Sequence, residues 1–300
     1  IFLVALAIIT ASASHGPGCP STPLSTQGWA HKPAGVVSFT ESPNALYVVY
    51  LADSGRVAPP GATPNFLWSV PATGGAPVRL NRPLETDTST VSDFIITPDS
   101  SLVVYRSNAR QAAEFELWSV PITGGASTQL NPNKGAAGTG TVPSIIDYRL
   151  APDGTTLVFR GSFNPTTPDF ELYSVGVTGT PAAARISKGA QPAGGDVDAG
   201  NWQFTAVAPT RVIYTGQIDT ADKDILSSDL VSDASALVLN VPKAGSGVAA
   251  ITFTQCGGRV IFRGPFETDA LFYLYSASPT SAGVAGNLLS QPQGTATGDV

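Results

Sequence analysis

The feature that most limits what this chain can fold into is a segment that recurs. FELWSVPITGG, from Phe115 to Gly125, has near-copies in FLWSVPATGG from Phe66 and FELYSVGVTG from Phe170. Two weaker echoes follow, DILSSDL from Asp224 and YLYSASP from Tyr273. The serine of this segment falls at Ser69, Ser119, Ser174, Ser227 and Ser276, at intervals of 50, 55, 53 and 49 residues. A period of about 50 residues means one supersecondary unit copied along the chain, each copy burying its apolar faces against its neighbours.

Every copy has the same parts. In the second, an apolar strand over Asp93 to Thr97 is followed by a Pro98-Asp99-Ser100 turn and the β-branched run Leu102 to Tyr105. Then come Phe115 to Val120, a Thr-Gly-Gly turn, and Ser127 to Asn131. Proline pre-sets φ in such a turn, and aspartate bonds the backbone just after it. No segment has helical periodicity over a helix's length, so each repeat reads as a four-stranded antiparallel meander. In the strand from Phe115 to Val120, Phe115 and Leu117 point one way, Trp118 and Val120 the other. A sheet wetted on one side would alternate apolar with polar, so these sheets are covered on both faces. The small residue at Ser119 is expected to let neighbouring sheets approach closely.

The predicted fold class is therefore all-β, a β-propeller of four-stranded antiparallel blades. The repeats run over about 35–90, 91–141, 142–196, 197–247 and 248–300 within one domain, 35–300. Five repeats are visible, and Gly298-Asp299-Val300 restates the Gly-x-Val that precedes earlier units. The expectation is an incomplete ring, with a closed five-bladed ring as the alternative. Composition agrees: charged residues make up only 13%, while Gly (31) and Pro (25) are abundant, as short strands and tight turns require.

Residues 1–13, IFLVALAIITASA, read as the apolar region and A-x-A cleavage site of a secretory signal peptide, and 14–34 as a linker. Export to the periplasm or outside the cell is the expected location. The run is too short to span a membrane. A lipid anchor at Cys19 is disfavoured, because Gly16-Pro17-Gly18 lacks the leucine such sites need. A Cys19–Cys256 disulfide is sterically untestable from sequence. The net charge of −6 argues against a nucleic-acid partner.

The segments TPDSSLVVYRS…EFELWSVPITGGASTQLN and APDGTTLVFRG…DFELYSVGVTGTPAAARIS carry a recognisable pattern. It comprises a Pro-Asp-Gly turn, an apolar strand, an acidic residue before an apolar–aromatic pair, a Gly-Gly turn and a closing Leu-Thr. This resembles the WD40-like repeats of TolB-like β-propellers, over Val37 to Ser290. The fourth repeat departs from it, lacking the acidic turn residue and the aromatic after Ile225; the fifth has Cys256 at the turn aspartate. The resemblance implies an exported, non-enzymatic module that binds a protein or peptide partner. Similar propellers also form the N-terminal domain of prolyl-oligopeptidase-type (S9) peptidases, and that is the second reading.

In a meander the Pro-Asp-Gly and Thr-Gly-Gly turns share one end, and the variable connections share the other. Binding residues concentrate on variable loops of a rigid scaffold. Arg106, Arg160 and Arg263 follow the second strand in three repeats and are candidates to ring a funnel and hold an anionic group. The plainer reading pairs each with an acidic residue in the loops. Asp219, Asp222 and Asp224 in DTADKD offer oxygen ligands, but the loop lacks an EF-hand's glycine and terminal glutamate and contains Lys223. No metal or cofactor is expected. Both histidines, His15 and His31, precede the repeats, so the blades alone cannot assemble a Ser-His-Asp relay.

Overall fold

The computed structural model describes residues 35–53, 64–82, 90–109, 114–132, 144–163, 170–188, 197–217, 223–240, 252–256, 258–264, 273–281 and 287–290. They form five four-stranded antiparallel sheets, each taking its strands in chain order. The first holds β1 (Val36–Glu41), β2 (Tyr47–Asp53), β3 (Asn65–Pro71) and β4 (Val78–Arg79). The second holds β5 (Val91–Ile96), β6 (Leu102–Ser107), β7 (Glu116–Pro121) and β8 (Thr128–Gln129). The third holds β9 (Ile145–Leu150), β10 (Thr156–Gly161), β11 (Glu171–Gly176) and β12 (Ala184–Arg185). The fourth holds β13 (Val197–Phe204), β14 (Val212–Gln217), β15 (Lys223–Ser228) and β16 (Leu237–Val238). The fifth holds β17 (Thr252–Cys256), β18 (Arg259–Gly264), β19 (Tyr273–Ala277) and β20 (Asn287–Leu288). Among the described residues the one helical element is a 3-10 turn at Asp233–Ser235.

The core lies between consecutive sheets, because alternate residues of a strand point to opposite faces. Val49, Leu51, Leu67 and Leu80 of the first sheet meet Val103, Tyr105, Trp118 and Val120 of the second. Val104, Leu117 and Leu130 of the second meet Leu157, Phe159 and Val175 of the third. Val158, Leu172 and Ile186 then meet Trp202, Val212, Tyr214 and Leu226. Ile213, Ile225 and Leu239 meet Val260, Phe262, Tyr273 and Tyr275. At each interface an aliphatic set of one sheet thus meets a set of the next that mixes aromatic with aliphatic side chains. Burying one such side chain contributes roughly 1.5–3 kcal/mol, so the stacking of sheets holds the molecule together. Leu226 stands where the fourth repeat lacks the aromatic, and Trp202 fills the space, 1% exposed and edge-on to Phe204.

Two signature positions have local explanations. The closing asparagine or serine of each repeat extends a fourth strand only two residues long. Asn81, Asn131 and Asn240 accept the amides of Leu67, Leu117 and Ile225 through Oδ1. Ser187 and Ser290 accept those of Leu172 and Leu274. The turn aspartates accept nearby donors as expected: Ser101 N–H and Oγ–H bond Asp99, and the amides of Thr155 and Thr156 bond Asp153.

The repeat serine does more than stay small. Ser174 Oγ donates to Leu230 O and Ser227 Oγ donates to Pro279 O, in each case in the following sheet.

Candidate functional site

The two ends of the sheets differ. At one end the tight turns approach the neighbouring sheet closely at two glycines. A Cβ on Gly124, whose φ is +91°, would lie 2.6 Å from Val78 Cγ1. One on Gly154, φ +71°, would lie 3.1 Å from Pro98 Cγ. Asn44 N–H reaches across to Ser100 Oγ at 3.0 Å.

The opposite end receives Arg106, Arg160 and Arg263 at the close of β6, β10 and β18. Arg106 pairs with Asp93 directly across the ladder, Nη2 to Oδ2 2.5 Å, and its Nη1 donates to the carbonyls of Ile145 and Ile146 in the next sheet. Arg160 repeats this with Asp147 at 3.1 Å and Val197 O at 3.2 Å. Their guanidinium groups also lie over Phe115 and Phe170, 5.3 and 5.0 Å from the ring centroids. The Arg160 side chain is 5% exposed. These two arginines therefore staple adjacent sheets, and the acid each one pairs with stands in the first strand rather than in the loops.

The acid has a second duty. Asp147 Oδ1 accepts the indole N–H of Trp202 from the following sheet at 2.5 Å. Tyr148, at the position equivalent to Trp202, lies beside Asp93. Burial first, and the Asp93 carboxylate second, push its hydroxyl pKa well above the ordinary value. That contact is less well formed than the one to Trp202: Tyr148 Oη and Asp93 Oδ1 are close enough to interact but do not meet in hydrogen-bond geometry.

The three positions change together at the other interfaces. Between the first and second sheets they are Ser38, Leu51 and Phe94; between the fourth and fifth, Asn201, Thr215 and Phe253. Acid, arginine and aromatic donor are thus all present or all absent, as expected if a buried charge is tolerated only when paired. In the fourth sheet the charge moves to the bulge: Lys223 Nζ meets Asp198 Oδ1 at 2.6 Å, and Thr215 Oγ1 donates to Oδ2.

Arg263 stands opposite Thr252 and is exposed. Asp219 and Asp222 lie outside the described residues, as do Cys19 and segments 1–13 and 14–34. Asp224 is not part of an open oxygen cluster; it is buried in β15 and accepts Asn240 Nδ2–H at 2.7 Å. Among the described residues no group of three or more His, Cys, Asp or Glu is placed to hold a metal ion. None of their helices is long and apolar enough to cross a membrane. Sequence inspection found the arginines but missed Asp93, Asp147 and Trp202. The available signal was an acid immediately before the first-strand aromatic, paired with a donor one repeat later.

No protein-family model matches this chain, and neither does any curated protein. Solved structures do. The dipeptidyl peptidase 4 of Porphyromonas gingivalis matches with a TM-score of 0.53 at 10% identity, over 79% of this chain and 35% of its own. The fold is that of a β-propeller. A protein assigned as TolB from Agrobacterium tumefaciens is similar at a TM-score of 0.37 and 14% identity, over 85% of this chain and 81% of that one. The β-propeller domain of the trilobed protease from Pyrococcus furiosus is similar at 0.35 and 11%, over 81% and 82%. The five sheets are propeller blades, and this chain spans about a third of the Porphyromonas peptidase.

Proposed function

We propose that this chain is an exported, non-enzymatic propeller that binds a protein or peptide partner at the end of the blades carrying the variable connections. The observation that supports this reading is the contrast between the ends. One is built of short turns of nearly constant sequence, tightly packed at Gly124 and Gly154, while the other carries connections that differ in length and chemistry from blade to blade. Arg263 stands at that end, and in the sequence Asp219 and Asp222 fall in the connection between β14 and β15. Arg106 and Arg160 sit at its base, where their bonds hold the blades from which it projects.

A second reading makes the chain the propeller domain of a larger peptidase, favoured by the match to about a third of a dipeptidyl peptidase. Photo-crosslinkers placed at Asp222 and at Asp99 test the first reading. Partner crosslinks are expected from Asp222 and not from Asp99; equal yields would overturn the assignment of the binding end. Hydrolysis of proline-containing peptides by the natural gene product would establish the second reading instead.

A further inference from the structure

The first strand of each blade is an edge strand, because every sheet takes its four strands in chain order. In the first blade that edge lies bare. Five of the six residues of β1 are exposed, whereas β5 exposes none and β9 two. Val37 is 62% and Phe39 45% exposed, while Trp202, at the position of Phe39 in β13, is 1% exposed.

The bare edge carries unused main-chain groups. Ser42 N–H bonds Tyr47 O, and from there the ladder to β2 runs from Glu41 opposite Val48 to Ser38 opposite Leu51. Antiparallel partners alternate between hydrogen-bonded and non-hydrogen-bonded pairs, so the N–H and C=O of Phe39 and Glu41 point away from β2. Among the described residues these groups have no hydrogen-bond partner. At the equivalent sites of β13 the carbonyls of Trp202 and Phe204 accept Arg149 Nη1–H and Gln255 Nε2–H, from the blades on either side. That edge is capped by side chains, and the edge of β1 is not.

Glu41 adds a charge to it. The other acids of the first strands are paired, Asp93 with Arg106, Asp147 with Arg160 and Asp198 with Lys223. Among the described residues Glu41 has no cation beside it. Phe39 and Glu41, two residues apart, share one face of the strand, and Ser38 and Thr40 share the other.

We infer that β1 is a strand-addition site for an extended segment of a protein partner. The segment pairs with the main chain of Phe39 and Glu41, sets an apolar side chain against Phe39 and places a lysine or arginine against Glu41. An unpaired edge is a template for another strand, whose main-chain bonds supply affinity and whose alternate side chains supply specificity. Donors and acceptors at strand spacing call for a peptide backbone, and the unpaired carboxylate calls for a cation on it. The bulge at Val37 ends the regular edge, so the contact spans Ser38 to Glu41. This surface is separate from the variable loops assigned above, and the inference uses none of their residues.

The probe is a short synthetic peptide with threonine at alternate positions and valine and lysine between them, labelled with a fluorophore and titrated with the whole chain. Saturable binding is expected, and replacing its lysine with glutamate should weaken binding by roughly tenfold or more. E41K should reverse that preference. F39P should abolish binding of the lysine peptide. Edge strands accept a proline whose N–H would face outward, so the ladder to β2 survives this change. F39P also leaves the net charge unaltered, so a peptide attracted only by the chain's overall charge would still bind it. A probe N-methylated throughout, which cannot donate to the edge, should not bind. Failure of the lysine peptide to bind, or binding undiminished by F39P or by N-methylation, would overturn the proposal. Amide exchange at Phe39 and Glu41 should be fast in the free protein and slowed by the peptide. Protection already present in dilute protein, or growing with protein concentration, would put this chain or a second copy on the edge and overturn it too.

Discussion

Trp202 donates its indole N–H to Asp147 of the preceding blade, 2.5 Å away, while the same carboxylate pairs with Arg160 at 3.1 Å. One acid thus binds a cation of its own blade and a donor of the next. Replacing Asp147 with alanine leaves Arg160, 5% exposed, without its carboxylate. Breaking a fully buried pair costs roughly 3–5 kcal/mol. Because the Asp147 side chain is 29% exposed, about 2–3 kcal/mol is expected here. Urea unfolding should register it, and D147N should recover part of the loss through the Trp202 bond.

Pro132 and Phe159 stand where the neighbouring interfaces have an amide and a hydroxyl. Arg82 N–H donates to Tyr105 Oη at 3.2 Å, and Lys188 N–H to Tyr214 Oη at 2.9 Å. Proline has no N–H to offer, and Phe159, 0% exposed, has no hydroxyl to receive one; it stacks on Tyr173 instead, at 5.4 Å. F159Y is therefore expected to lower stability by about 1–3 kcal/mol through a buried, unsatisfied hydroxyl. P132A combined with F159Y should recover stability beyond the sum of the single effects, a coupling that a double-mutant cycle measures.

The repeat serines are not equivalent. Ser227 Oγ accepts from Arg211 and donates to Pro279 O, whereas the buried Ser69 Oγ has no partner. S227A should cost about 1–3 kcal/mol, and S69A should be neutral or slightly stabilising. Comparable losses from both would contradict this difference between the interfaces.

Alkaline pH should loosen the blades at their tyrosines. Burial pushes the hydroxyls of Tyr173 and Tyr214 up to about 12 from an ordinary 10.0. A group raised in the folded state binds its proton longer than the unfolded chain does, so its contribution is complete below pH 10 and lost as pH climbs to about 12. Y214F should flatten that loss. Phenolate absorbance should show Tyr214 ionising together with unfolding.

Acid acts in the opposite sense on the turns. Hydrogen bonds from Thr97 and Ser101 hold the Asp99 carboxyl below its ordinary 3.8. The stability it contributes is present above that value and is lost as pH falls through the lower, folded value. D99N should remove this part of the acid dependence, as read from thermal unfolding between neutral pH and pH 2.

Repeat length, the four strands of each blade and both apolar faces of strands such as β7 were legible in the sequence. Alternation along a strand is a local property with a period of two, and it survives without knowledge of neighbours. The turn aspartates were visible for the same reason, since their bonds reach only a few residues, whereas the role of the closing Asn81, Asn131 and Asn240 emerged only from the structure.

What the tertiary structure decided lies between repeats. The sequence left the arginines after the second strand between an anion and an acid in the loops, because their actual partners Asp93 and Asp147 stand 13 residues earlier and the carbonyls they bond 37 to 40 residues later. The exchange of Tyr for Phe at Phe159 gains meaning only once Pro132 is placed in the adjacent blade. Period and alternation are written along the chain, whereas the pairing of a buried charge or hydroxyl depends on which side chains the stacking of blades brings opposite it.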